Sequence, residues 1–186
     1  MKVSTLYVIV AAMAIGASTS AGAQSANSWS DIDCSQSKIV APPGLRCRMT
    51  EEINGSSDAR FNGQGVFRNW ATFGKKDGNK LYYLVYEGVG PQSYKQVFLT
   101  LEEEIKKRSP YAKNGRDFTS PSQISGGDYE RFIGSDNGQC VVIRKLGPAQ
   151  GKGYKWVLFA NECVAPGKGI SDQEIARFMQ AADFHA

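Results

Sequence analysis

Apolar and polar positions change their period several times along the chain, and each change predicts an element. Lys80–Glu87 carries the densest strand pattern: Leu81, Tyr82, Tyr83, Leu84, Val85 and Tyr86 place large side chains on both faces, as in a central strand covered on both sides. Leu45–Ile53 alternates instead, with Cys47, Met49, Glu51 and Ile53 on one side and Arg46, Arg48, Thr50 and Glu52 on the other. That is the period of a half-exposed strand. Gly65–Phe73, with Val66, Phe67, Trp70 and Phe73, and the short run Tyr129–Ile133 add two more strands. Asn54-Gly55, Lys75–Asn79 with Asp77-Gly78 at its tip, and Asp136-Asn137-Gly138 supply the turns.

Two further β-rich runs, Cys140–Leu146 and Tyr154–Ala160, flank the loop Gly147–Gly153 and form a predicted hairpin at the centre of the fold. Folding the chain at that loop brings Cys140 close to Cys163, within reach of a cross-strand bridge.

The period lengthens to that of a helix in two places. Over Ser93–Arg108, Ser93 with Gln96 matches a capping box, and Tyr94, Val97, Phe98, Leu101 and Ile105 mark one buried face. Glu102–Lys106, Glu103–Lys107 and Glu104–Arg108 then read as ion pairs on a solvated face, and Ser109-Pro110 ends the helix. A second helix opens at Ser171, capped with Glu174, and buries Ile175, Phe178, Met179 and Ala182. The polar stretch Tyr111–Gly127 between the helices reads as a long functional or mobile connection. Strands, helix, strands, helix, without a βαβ rhythm, predict an α+β fold. It would be an antiparallel sheet of about five to six strands built from hairpins, with two amphipathic helices packed on it. A small β-barrel or sandwich with helical decorations is the alternative.

Composition adds an address. Met1-Lys2, the apolar run Leu6–Gly16 and the small residues up to Ala23 have the layout of a secretory signal, with cleavage expected before Gln24. The run is shorter than the roughly 20 residues that span a bilayer, and no later segment is apolar enough, so no transmembrane segment is expected after cleavage. The expected organisation is a signal over 1–23, a loop-rich N-terminal segment over 24–44 with half of the first disulfide, and one α+β domain over 45–186. Asn54-Gly-Ser56 matches a glycosylation sequon, which a bacterial exporter would ignore. All four cysteines follow the signal, and an even number in an exported chain implies disulfides. Local pairing of Cys34 with Cys47 and of Cys140 with Cys163 is favoured, since each pair spans a plausible turn. Periplasmic or extracellular placement follows as an expectation.

Candidate chemistry is sparse. The one histidine, His185, is next to last, and no Cys-x-x-Cys spacing suggests zinc, so neither metal nor other cofactor is expected. Ser35-Gln-Ser-Lys38 and Ser135-Asp-Asn137 match two elements of penicillin-recognising enzymes. Both lie in predicted turns, however, and no K-T-G strand completes the set. Gly147–Gly153 with Lys152 lacks the spacing and the Ser/Thr of a phosphate loop.

What remains is a basic, aromatic group on the central hairpin, Arg144, Lys145, Lys152, Tyr154 and Lys155, which is the candidate contact surface. The net charge of +4 is mild and gives no reason to expect nucleic acid. The expected role is therefore that of a non-catalytic exported binding protein, an inhibitor or accessory subunit, whose partner is an envelope protein or an anionic surface. A small envelope hydrolase using paired carboxylates is the alternative, because such acids need only meet in space.

Overall fold

A computed structural model describes residues 28–54 and 64–186. The expected signal, the Asn54-Gly55 turn and the sequon at Asn54 all reach outside the described residues.

The body of the protein is one open antiparallel sheet. Its strands are β1 (Ser30–Ile32), β3 (Arg46–Asn54), β4 (Gln64–Lys76), β5 (Asn79–Tyr94), β6 (Ser122–Ile124), β7 (Gly127–Ile133), β8 (Gln139–Leu146) and β11 (Trp156–Cys163). They lie side by side in the order β1-β3-β4-β5-β11-β8-β7-β6. Two small ribbons complete the architecture: β2 (Ile39–Val40) pairs with β12 (Asp183–Phe184), and β9 (Ala149–Gln150) with β10 (Gly153–Tyr154). Helix α1 (Leu101–Arg108) covers one face and α2 (Asp172–Ala181) the other.

Alternation within the three central strands explains the two layers. Leu81, Tyr83 and Val85 of β5, Leu158 and Ala160 of β11, and Val141 and Ile143 of β8 face α2, where they meet Ile175, Phe178 and Met179. Their neighbours Tyr82, Leu84, Tyr86, Val157, Phe159 and Val142 face α1 and pack on Leu101 and Ile105. Each large side chain removed from water in this way contributes about 1.5–3 kcal/mol. The run Leu81–Tyr86 is thus a central strand buried on both sides, as its composition requires.

The sheet ends at β1 and β6 without closing, so it is not a barrel, and it has eight strands where about five to six are expected. The additional strands are short edge pieces. The polar segment before Asp33 contributes β1, and the long connection Tyr111–Gly127 contributes β6. That connection is also packed: Phe118 stacks on Phe132 with centroids 4.6 Å apart, and Ala112 is buried.

Helix α1 begins later than the Ser93–Gln96 pattern predicts. Thr100 is the N-cap: its hydroxyl accepts from the Glu103 N–H at 3.2 Å, while the Glu103 carboxylate accepts the Thr100 N–H at 2.9 Å. Ser93 instead ends β5, where its hydroxyl donates to the Val89 carbonyl and accepts from the Val66 N–H. The chain curls tightly there, since a Cβ on Gly88 would lie 2.3 Å from the Ser93 carbonyl oxygen. Phe98 therefore precedes the helix and is 61% exposed, not part of a buried face. Glu104 is likewise not on the solvated side: at 3% exposure it shares the buried stripe of Leu101 and Ile105.

The turn between β4 and β5 places both Asp77 (φ 51°) and Gly78 (φ 84°) in the left-handed region, which is what an Asp-Gly hairpin turn demands. Disulfides join Cys34 to Cys47 and Cys140 to Cys163. Cys140 and Cys163 are direct cross-strand partners with Cα atoms 4.0 Å apart, inside the α1-side core. Two such bonds suit an oxidising compartment. Among the described residues no helix is long and apolar enough to cross a membrane.

Candidate functional site

The basic residues of the central hairpin do not form one surface. Arg144 points to the α1 side, where its Nε donates to Asp128 Oδ1 at 3.0 Å and its Nη1 to the Leu99 carbonyl at 3.3 Å. Lys145, the next residue, points to the α2 side and donates to the Ala182 carbonyl at 2.7 Å, 3.6 Å from Asp183. Lys155 reaches the Gly90 carbonyl at 3.4 Å, and the Tyr154 backbone bridges to Lys95. Lys152 alone is exposed, at the tip of the β9–β10 ribbon. Adjacent residues of a strand face opposite ways, so most of this charge serves internal contacts.

The other sequence matches are structural in the same sense. Ser35 lies in a single 3₁₀ turn whose Asp33 cap accepts its N–H at 2.8 Å. Asp136, in the Ser135–Gly138 turn, accepts from Lys80 at 2.5 Å. Gly147–Gly153 leads through β9 into β10 and not into a helix. The His185 N–H is bonded to the Lys38 carbonyl at 2.9 Å, which pins the end of the chain beside β2.

Cationic and aromatic side chains do converge elsewhere, between the end of α1 and the outer half of the sheet. A cleft of about 370 Å³ is lined there by Trp29, Arg48, Phe73, Tyr82, Lys107 and Arg108, with Ala71 and Pro110. Among the described residues, three cations and three aromatic rings line it, and no acidic residue does. Its construction follows from the register. Arg48, Ala71 and Phe73 come from β3 and β4 on the α1 face, Tyr82 from β5, and Lys107 and Arg108 from the last turn of the helix. Trp29 is held over the sheet because Arg48 Nη2 donates to its carbonyl at 3.0 Å.

The cations are oriented from behind. Asp31 Oδ1 lies 3.0 Å from Arg48 Nε, and Asp31 Oδ2 accepts from Arg46, whose guanidinium sits 5.6 Å from the Phe73 ring centre. Arg108 Nε lies 3.9 Å from the buried Glu104, and its guanidinium is 5.6 Å from the Tyr86 ring. Burial pushes the Tyr82 hydroxyl far up, against a smaller opposing pull from Arg108, so it stays a neutral donor. Basic residues in the last turn also offset the helix dipole, a structural reason for their placement. Guanidinium groups of this kind can donate to the oxygens of an anion, and aromatic rings can pack against an apolar or planar body.

A second cleft of about 370 Å³ lies on the opposite face, between α2 and the β4–β5 turn. Glu162 and Glu174 both line it, over a floor that includes Leu81, Tyr83 and Phe178. Burial above all raises the Glu162 carboxyl, with the Asn79 amide bond opposing and Glu174 adding to the shift. Glu174 is shifted down instead, because one of its oxygens accepts both the hydroxyl of Ser171, at 2.6 Å, and its N–H, at 2.8 Å. Its carboxylate is thereby committed to capping α2. The sequence alternation already places Arg46 and Arg48 on one side of β3. It gives no hint that Trp29, Phe73 and Lys107 gather beside them. No family model, curated protein or solved structure matches the chain.

Proposed function

We propose that this is an exported, non-catalytic binding protein of the periplasm or extracellular space, which holds or caps another envelope macromolecule through an anionic group. The α1-face cleft takes that group, with Arg48 and Arg108 as the guanidinium donors, Lys107 as the ammonium, and Trp29, Phe73 and Tyr82 as the walls. The observation that carries this reading is the lining itself, among the described residues three cations and three rings without an acid, in a concave site large enough for a side chain or a small head group. Binding of this kind steers and positions; it needs no imidazole, metal or activated nucleophile. A scaffold stapled by two disulfides that presents such a cleft supports the role of inhibitor or accessory subunit.

The experiment is affinity capture from the envelope fraction with the mature chain and with an Arg48→Gln/Lys107→Gln variant of unchanged thermal stability. The reading expects a retained anionic partner that elutes with salt and is lost from the variant. Equal capture by both proteins overturns it.

A further inference from the structure

Beyond the cationic cleft, the α2 face holds a carboxylate in a position that the fold otherwise gives to core residues. Glu162 follows Leu158 and Ala160 along the same side of β11, and its direct cross-strand partners are Leu81 on β5 and Val141 on β8. Both partners are buried apolar members of the α2-side core. A residue in that register would ordinarily be aliphatic. Glu162 instead opens onto the cleft of about 370 Å³, above Leu81, Tyr83, Ile170 and Phe178.

Charge is distributed unevenly in this cleft. Lys76, Asp77, Glu174 and Arg177 are exposed and stand on its rim, whereas Glu162 is half-buried. Glu174 is held by Ser171 and lies within the electrostatic reach of Arg177, so the rim charges largely balance one another. The Asn79 amide, at 2.6 Å from Oε1, is the hydrogen-bond donor to Glu162 among the described residues, which leaves Oε2 without a described donor. A half-buried carboxylate above an apolar floor can accept from a cationic donor while keeping its Asn79 bond.

We propose that this cleft is a binding site for a ligand that joins an apolar body to a primary ammonium group, with Glu162 taking the ammonium and the floor taking the body. The cation donates to the second carboxylate oxygen, and the apolar body covers Leu81, Tyr83 and Phe178. A purely apolar ligand would leave the carboxylate further desolvated, and an anionic one would meet it head-on. Burial already raises the Glu162 carboxyl, which agrees with a site that gains from a nearby cation.

The test is titration of the mature chain with n-hexylammonium, n-hexanol and n-hexanoate at pH 7, followed by amide chemical-shift changes. Hexylammonium is expected to bind most tightly, with shifts centred on Leu81, Glu162 and Phe178. Glu162→Gln keeps the shape and the Asn79 contact, and should weaken hexylammonium by about tenfold or more while leaving hexanol unchanged. Arg177→Glu, on the exposed rim, should tighten hexylammonium and gives a readout independent of the first variant. Preference for hexanoate, equal binding by the Gln variant, or no shift in this cleft at millimolar hexylammonium would each overturn the proposal.

Discussion

The Tyr86 hydroxyl donates to Oε1 of Glu104 at 2.7 Å, and this single bond ties the middle of β5 to the underside of α1. Both residues are buried, with Arg108 packed on the same tyrosine ring. Burial and the neighbouring carboxylate push the tyrosine far above its ordinary range, so it remains a proton donor. Tyr86→Phe strips the buried carboxylate of a neutral donor and should cost about 1–3 kcal/mol in urea unfolding. Lys106→Ala breaks an ion pair of half-exposed partners at 2.6 Å and should cost under about 1 kcal/mol. Equal losses would mean that the buried bond adds nothing beyond surface pairing.

Each disulfide closes a short loop, with separations of 13 and 23 residues. Replacing either pair by alanine should lower stability by about 3 kcal/mol. The Cys140/Cys163 change should also loosen the central sheet, since that bond joins β8 to β11, and amide exchange at Val142 and Phe159 reads that directly. Unchanged exchange there would place the effect of the bond in the unfolded chain alone.

Arg144 and Lys152 separate internal from surface charge. Arg144→Ala leaves Asp128, which is buried, without its guanidinium, and should cost about 3 kcal/mol or more. Lys152→Ala, at an exposed turn, should stay within about 0.5 kcal/mol. Thermal or urea unfolding of the two variants is the check. A near-neutral Arg144 variant would return that residue to the contact surface.

Glu162 makes stability depend on pH in a definite direction. Its carboxyl is raised in the folded protein above the ordinary value of 4.5. In acid it is protonated in both states and costs nothing. As pH rises past 4.5 the unfolded chain gives up the proton first, so stability falls until the folded carboxyl has ionised as well. Glu162→Gln cannot lose this stability. The variant should therefore gain on the native protein through the window just above pH 4.5 and hold that gain at neutral pH. A difference that shrinks with rising pH would contradict the assignment.

Period and turn chemistry made most of the architecture legible. The two-sided run at Leu81–Tyr86, the Asp77-Gly78 turn and the Ser171–Glu174 cap all express local rules. The start of α1 was also local, but two capping patterns compete within ten residues. Thr100 with Glu103 prevails because Ser93 is drawn into the curl of β5, a tertiary demand. Short edge strands such as β1 and β6 carry too few residues to show a period. The cleft was the least legible part, since Trp29, Arg48, Phe73, Tyr82 and Lys107 are brought together by sheet register and helix placement and share no motif. Sequence proximity instead favoured Arg144 and Lys145, which the strand sends to opposite faces.

Whether the α1-face cleft takes an anion is decided by titration with phenyl phosphate, followed by amide and indole chemical shifts. Shifts centred on Trp29, Arg48, Phe73 and Lys107 are expected, with an affinity about tenfold weaker in the Arg48→Gln/Lys107→Gln variant. Shifts confined to other faces, or an affinity indifferent to those two substitutions, would contradict it.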